Sequence, residues 1–238
     1  MNKMTHILPK NERSKNASKM ITAVLLLLIT AMSVRPVQAQ EISTGADFVS
    51  TYVWRGVAYA GPSIQPFVDI TAGNFSIGGW GSQGYDGFQE MDLYLSYSFD
   101  FGLSLGITDY YYPGTPWLSF SEDADAGDAS SHAFELNAGY GTGAFSLSAN
   151  YILNEASGAG SAGGDTYFEL GYALSGADLF IGAGDGWHSS DGEFALVNLG
   201  VTVSKELKIT ETFSVPLFGT MVLNPDSEQF YLLAGVSF

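Results

Sequence analysis

The chain of 238 residues has no cysteine, few basic residues and little helical patterning. Without cysteine it forms no disulfide and offers no thiolate to a metal or to catalysis. Nine Lys and Arg stand against 25 Asp and Glu, so the chain repels nucleic acid phosphates and has no basic patch that could bind them. From residue 40 onward, no segment sustains apolar residues at helical spacing over three turns, which argues against an α-helical fold. No nucleic acid partner is expected.

Residues 1–39 are predicted to be a secretory signal peptide. Basic residues precede an uncharged run from Met20 to Met32, and Val37-Gln38-Ala39 supplies the small residues that a signal peptidase recognises. The run has 13 residues, whereas a retained transmembrane helix, the alternative, needs roughly 20. After removal of 1–39, three basic residues (Arg55, Lys205 and Lys208) remain against 24 carboxylates, a net charge of −21.

The rest of the chain shows alternation of apolar and polar residues, which is the period of a β-strand. Tight turns alternate with the long segments 55–63, 113–131, 153–165 and 185–193, as in outer-membrane barrels. We therefore predict that residues 40–238 form a single all-β domain, a transmembrane antiparallel up-and-down β-barrel of about 12 strands, with ten as the alternative. The predicted strands are 43–54, 64–72, 75–83, 88–99, 103–112, 132–140, 144–152, 166–174, 178–184, 194–203, 211–223 and 229–238.

Charge decides which face of each strand meets lipid. In Glu90–Phe99 the odd positions are mostly apolar, whereas the even positions carry Glu90 and Asp92. An ionised group at mid-bilayer costs up to roughly 3 kcal/mol, so the even positions are predicted to line the interior, and a soluble lipocalin-like barrel with apolar residues inside is disfavoured. The same argument on other strands assigns Asp69, Glu135 and Glu169 to the pore lining.

Arg55 is the basic residue predicted to line the pore. It is placed at the outer end of the first strand, with the inward parity of Asp47. Two roles are open: pairing with lumen acids in a constriction that orients solutes, or capping a rim carboxylate for structural reasons. A set of aromatic residues poses a similar choice between a lipid-facing girdle and a stacking ladder inside the pore: Trp54, Tyr110, Tyr111, Tyr112, Trp117, Tyr140 and Tyr151.

Two acidic features need separate interpretations. Asp109 shares the lipid-facing parity of Leu105 and Ile107, which requires that it reach the headgroup level or that a β-bulge reset the register. The segment 122–128 carries four carboxylates but lacks the glycine placement and the final glutamate of an EF-hand. It is predicted to be a solvated loop, with divalent bridging to lipopolysaccharide as the alternative.

Several short motifs occur together in the first half of the chain. They are Ser50-Thr51-Tyr52-Val53-Trp54-Arg55-Gly56-Val57, Pro62-Ser63-Ile64-Gln65-Pro66, Gly78-Gly79-Trp80-Gly81-Ser82, Glu90-Met91-Asp92-Leu93-Tyr94 and Tyr110-Tyr111-Tyr112-Pro113-Gly114. As a set they resemble the TorF-type porins, leader-bearing bacterial outer-membrane β-barrel proteins of similar length, formerly filed as conserved hypothetical proteins. The resemblance implies a porin without specifying its solute.

The leading functional hypothesis is a channel in the outer membrane of a Gram-negative bacterium. About twelve strands leave room for water, and inward carboxylates favour cations, so we expect passive diffusion of small polar solutes, with no cofactor, metal or catalytic residue. The alternatives are a closed structural or adhesive barrel with ligand-binding loops, and a lipid hydrolase using His132 or His188 with nearby serines.

Expected partners are outer-membrane lipid, lipopolysaccharide and the barrel assembly machinery. The last strand, Phe230–Phe238, has one wholly apolar face and ends in an aromatic residue, which resembles the assembly signal of outer-membrane barrels.

Overall fold

The computed structural model describes residues 40–120, 130–156 and 160–238, and within them twelve antiparallel strands form a closed barrel. The predicted signal peptide, 1–39, and the acidic segment 122–128 lie outside the described residues. The barrel strands are β1 (Gln40–Val49), β4 (Ser63–Ala72), β5 (Phe75–Gly84), β6 (Gln89–Ser98), β7 (Leu103–Tyr111), β8 (His132–Thr142), β9 (Phe145–Ile152), β12 (Thr166–Leu174), β13 (Ala177–Gly184), β14 (Ala195–Lys208), β15 (Ser214–Asn224) and β16 (Gln229–Ser237).

Pairing of the first strand with the last closes the sheet. β1 pairs with β4 on one side and with β16 on the other, so the backbone N–H and C=O groups of the edge strands find partners. The predicted fold class is confirmed, and the alternative of ten strands is wrong.

Shorter elements in the same described ranges lie apart from the barrel sheet. β2 (Tyr52–Trp54) pairs with β3 (Val57–Ala60), β10 (Glu155–Ala156) pairs with β11 (Ser161–Ala162), and Gly186–His188 forms one turn of 3-10 helix. No helix in this part of the chain is long and apolar enough to cross a membrane.

The two ends of the barrel carry connections of different kinds. At one end, which we call the turn end, β1 begins, β16 ends, and tight connections such as Gly73-Asn74 join neighbouring strands. At the opposite, loop end lie the β2–β3 hairpin, the ends of the strands that the longer connections β7–β8, β9–β12 and β13–β14 join, and the short β5–β6 and β15–β16 turns. The predicted alternation of short and long connections is therefore present.

The outer face of the barrel is apolar and the inner face is polar. On β6, Met91 and Leu93 are exposed, whereas Glu90 and Asp92, which alternate with them, are only 4% and 7% exposed. The same alternation holds around the wall, and the exposed apolar side chains include Val68, Ile70, Phe145, Leu147, Phe168, Leu170, Phe230 and Leu232. This polarity is the reverse of that in a soluble lipocalin-like barrel.

Asp109 lies on the outer face without a bulge. The register of β7 runs unbroken past it, opposite Leu93 and Phe134, so the bulge alternative is wrong. His132 Nδ1 lies 2.9 Å from Asp109 Oδ1, and Nε2 donates to the carbonyl oxygen of Trp117 at 2.6 Å. The rings of Trp117 and Phe120 cover the imidazole. The carboxylate is thus paired beneath a folded loop and shielded from the apolar surroundings.

The first strand is shorter than predicted. The alternation continues through 43–54, but β1 ends at Val49 and Tyr52–Trp54 becomes the first arm of a hairpin. The chain leaves the barrel wall at Ser50. The Ser50 N–H donates to the Ala234 carbonyl at 2.8 Å, and its Oγ accepts from the Ala234 N–H at 3.0 Å. Turning inward buries the Tyr52 ring against Trp80, which a continuing wall strand would not do. The placement of Arg55 at the end of a wall strand is therefore wrong.

Replacing Leu170 by arginine tests the assignment of the outer face. Leu170 lies at the middle of β12 and is 47% exposed, so in a bilayer Leu170→Arg should lower the free energy of unfolding by about 2–4 kcal/mol. The matched control is Ser148→Arg on the inner face, opposite Glu169, which should cost far less. Urea unfolding in phospholipid vesicles measures both, and equal losses would contradict the assignment.

Candidate functional site in the barrel lumen

The β2–β3 hairpin folds from the loop end into the lumen and reaches the opposite wall. Its tip residues, Arg55 and Gly56, have φ of 49° and 82°, as the two central residues of a type I′ turn require. Gly56 has no room for a side chain, since a Cβ would overlap the carbonyl oxygen of Val197. Its own carbonyl accepts a hydrogen bond from Asn224 Nδ2 at 3.1 Å. The tip is thus held against β14 and β15.

Arg55 fixes the hairpin to β8 through Glu135. Its two terminal nitrogens donate to the two carboxylate oxygens of Glu135 at 2.6 and 2.9 Å. The guanidinium also lies between two rings, 4.2 Å from the centroid of Trp54 and 4.5 Å from that of Tyr167, which adds cation–π attraction on both faces. Arg55 is therefore paired with an acid of the lumen, as the first of its two predicted roles requires.

Glu135 is fully buried, and its charge is compensated. Besides the two bonds from Arg55, Oε2 accepts from Tyr110 Oη at 2.9 Å and from Asn137 Nδ2 at 2.7 Å. A buried ion pair is stabilising only when such additional bonds satisfy it. Burial acts to lower the pKa of Arg55, but the Glu135 carboxylate outweighs it and the pKa rises above its ordinary value. The guanidinium therefore stays charged.

His188 lies beside this pair as a neutral acceptor. Trp187 Nε1 donates to His188 Nε2 at 3.0 Å, and an Arg55 nitrogen lies 3.4 Å from the same atom. Burial first, and then the charge of Arg55, lower the pKa of His188 to about 2. The imidazole is therefore uncharged over the physiological pH range.

The aromatic residues divide between the two faces of the wall. Trp54, Tyr110 and Tyr112 lie inside, where Trp54 contacts Tyr110 and Trp187 with ring centroids 5.5 and 5.7 Å apart. Tyr140 and Tyr151 are exposed on the outer face, and Trp117 lies outside over the paired Tyr111 and His132. Neither a girdle alone nor a ladder alone describes the set, because strand parity sends neighbours to opposite faces.

The predicted acids lie on the inner face, but in different environments. Asp69 accepts from Tyr94 Oη at 2.7 Å, and Glu169 accepts from Tyr167 Oη and Asn198 Nδ2 at 2.5 and 2.9 Å. Tyr112 Oη donates to Glu90 Oε1 at 3.1 Å. Within the described residues, Glu90 Oε2 and Asp92 Oδ1 have no hydrogen-bond partner. That these acids line a conducting pore stays a prediction.

A cavity of about 270 Å³ lies beside the hairpin, between it and the wall formed mainly by β13 to β16. Its polar lining includes Gln65, Asn198, Thr202 and Thr220, and of its described lining residues Arg55 alone carries a charge. The charge pattern of the sequence does not reveal these residues, because they are neutral. The signal that could have found them is alternation, since each lies next to an apolar residue that faces outward and must therefore itself face the lumen.

Among the described residues, neither predicted histidine is part of a hydrolytic triad. His132 lies on the outer face and His188 in the lumen, and in the described part of the chain no serine hydroxyl bonds a ring nitrogen of either. Across the same residues, no group of three or more His, Asp or Glu side chains is placed to hold a metal ion.

The low pKa of His188 predicts an acid-sensitive fold. In the unfolded chain His188 is protonated below about pH 6.5. In the folded chain it stays neutral until about pH 2. The free energy of unfolding should therefore fall by roughly 1 kcal/mol for each pH unit below about 6. His188→Gln should remove this component, so denaturant unfolding between pH 7 and pH 4 should show a shallower loss in the variant. Parallel losses in both proteins would contradict the assignment.

Solved outer-membrane proteins resemble the chain at low similarity. A mutant of the Rh. blastica porin is 11% identical, with a TM-score of 0.41 over 83% of this chain and 73% of the porin. The Salmonella typhi outer membrane phospholipase, solved as a dimer with calcium, is 13% identical, with a TM-score of 0.39 over 81% and 87%. Pseudomonas aeruginosa OprD is 15% identical, with a TM-score of 0.31 over 84% and 66%. At these values the likenesses carry no argument, and the barrel rests on its own strand pairing.

The sequence itself matches one family. None of the curated proteins compared with the chain matches it. The model described as "Bacterial protein of unknown function (Gcw_chp)" matches residues 34–213, which include the hairpin and all the predicted pore-lining residues. The TorF-type name that the motifs suggested is not part of this description and stays a prediction. The chain belongs to the Gcw_chp family of bacterial proteins.

Proposed function

We propose that this protein is a porin-like channel in the outer membrane of a Gram-negative bacterium, through which small polar solutes diffuse passively. The observation that carries the proposal is the inside-out polarity of the closed barrel, with apolar side chains outside and carboxylates and hydroxyls inside. Such an outer wall is stable in lipid, and such an interior is stable in water. Outer-membrane barrels have short turns on the periplasmic side and long loops on the outer side. The turn end would therefore face the periplasm and the loop end lipopolysaccharide.

The hairpin makes the channel narrow at the loop end. Arg55 reaches β8 and Gly56 reaches β14, so the hairpin divides the lumen. On the side of β6 to β8 the rings around Trp54 and Tyr110 are packed together. On the side of β13 to β16 a cavity remains. Solutes would therefore pass beside the hairpin along this second side.

The charge of the lumen favours cations. Asp69, Glu90, Asp92 and Glu169 face inward, while the positive charge of Arg55 is compensated by Glu135. A confined, net negative interior raises the local concentration of cations and excludes anions. We expect a modest preference, because Glu90 and Asp92 are only 4% and 7% exposed.

A closed barrel whose loops bind a partner is the second candidate. The anchored hairpin favours it, because Arg55, Gly56 and Asn224 hold the tip across the lumen. Conductance of the purified protein in planar bilayers separates the two functions. Small, cation-biased single-channel steps support the channel, whereas a folded protein that inserts and stays silent supports the closed barrel.

Neutralising two inward carboxylates tests the cation preference. Asp69→Asn with Glu169→Gln removes two inward carboxylates of the wall, so the potassium-to-chloride permeability ratio should fall by a factor of about two or more. Reversal potentials in a salt gradient measure this ratio. Glu193→Gln in an exposed loop is the control and should change the ratio less. An unchanged ratio in the double variant would show that these carboxylates do not set selectivity.

Removing the Arg55–Glu135 pair tests the role of the hairpin. The double variant Arg55→Gln with Glu135→Gln should loosen the tip, which then keeps only the Asn224–Gly56 hydrogen bond named above, and should raise single-channel conductance. Arg55→Gln alone should destabilise the fold more, by about 3–5 kcal/mol, because it leaves a buried carboxylate uncompensated. Conductance and urea unfolding measure the two effects. Wild-type conductance in a correctly folded double variant would show that the hairpin does not limit flow.

A further inference from the structure

Asn198 presents an unsatisfied acceptor at the cavity beside the hairpin. Its Nδ2 donates to Tyr167 Oη at 3.0 Å and to Glu169 Oε2 at 2.9 Å, which fixes the orientation of the amide. Asn198 is 6% exposed, and its Oδ1 has no hydrogen-bond partner among the described residues. A buried acceptor of this kind is costly unless a donor reaches it, and Asn198 lines the cavity.

Two hydroxyls lie on the same wall. Thr202 on β14 and Thr220 on β15 are directly paired in the register, and their Oγ1 atoms are 2.9 Å apart. When one hydroxyl donates to the other, the second still has a hydrogen to give, and both keep acceptor capacity. Gln65 adds a buried amide to the same lining. The wall therefore offers donors and acceptors together.

Apart from Thr51, Tyr52 and Arg55, the remaining lining is apolar. Phe180 and Phe218 contribute aromatic rings to the cavity, and ring faces pack well against the C–H groups of a sugar or polyol. Arg55 also lines it, but both of its terminal nitrogens are engaged by Glu135. The cavity does not favour a cation, because its described lining has no carboxylate and includes the positive Arg55. It does not favour an anion either, because Glu135 already neutralises the guanidinium.

We propose that this cavity is a binding site for a neutral polyhydroxylated solute of monosaccharide size. Its volume of about 270 Å³ lies just below the range of roughly 300–1,000 Å³ for pockets of drug-sized ligands. A hydroxyl of the solute would donate to Asn198 Oδ1, and others would bond the Thr202–Thr220 pair. The inference rests on the proposed channel function and names the solute class that the open side of the lumen holds.

Titration of the full-length, detergent-folded protein with D-glucose tests the site by calorimetry. Thr202→Val with Thr220→Val removes both members of the hydroxyl pair, so neither is left without its partner, and glucose should bind at least about tenfold more weakly. The matched control is Thr71→Val with Ser76→Ala, which removes another hydroxyl pair, 3.1 Å apart, between β4 and β5. This control should bind glucose as the wild type does. Thr202→Leu, which fills the cavity, should also weaken binding.

Three outcomes would overturn the proposal. They are an absence of saturable glucose binding to the wild type, equal affinity in the Thr202→Val, Thr220→Val variant, and tighter binding of n-butylammonium than of glucose at the same site. Binding in micelles does not require conduction, so the two proposals fail separately. Glucose binding to a protein that does not conduct contradicts the channel alone, and conduction without glucose binding contradicts the site alone.

Discussion

The ion pair between Arg55 and Glu135 determines where the hairpin lies, and the shape of the lumen depends on it. A hairpin with three register pairs is too short to be stable alone, and a non-glycine residue with positive φ at its tip costs about 1–3 kcal/mol. Both costs are offset by contacts with the wall: Glu135 binds the guanidinium, which Trp54 and Tyr167 cover, Asn224 bonds the Gly56 carbonyl, and Tyr52 packs on Trp80. The hairpin is thus a loop segment whose conformation is stabilised by its binding site across the barrel.

On the outer face, too, a carboxylate is stabilised by a specific partner. Asp109 lies on the apolar side of β7, where an isolated carboxylate would be costly. It is tolerated because His132 pairs with it and the rings of Trp117 and Phe120 lie over the imidazole. In both places an acid is accommodated by a specific cationic or hydrogen-bonding partner and by aromatic cover. The outer pair sits near the loop end, where it holds the segment around Trp117 against the wall.

The strands were predictable from the sequence because alternation is a local signal that burial enforces on every wall strand. For the same reason, parity placed Glu90, Asp92 and Glu135 on the inner face, where the structure has them. The hairpin was not predictable in this way, since Tyr52–Trp54 continues the alternation of β1 and only contacts with Trp80, Glu135 and Val197, distant in sequence, draw it inward. The neutral cavity was missed because Asn198 and Thr202 carry no charge, and its volume depends on how the hairpin divides the lumen.

This division separates two kinds of selectivity. Carboxylates such as Asp69 lie outside the lining of the cavity. Their field extends over roughly 8–10 Å at physiological ionic strength, so it biases which ions enter the lumen without requiring contact. Hydrogen bonds act only at contact, and those still available beside the cavity belong to the neutral groups of Asn198, Thr202 and Thr220. Ionic preference and solute retention therefore depend on different residues, and substitutions on one side of the hairpin should leave the other property largely intact as long as Arg55 holds the hairpin in place.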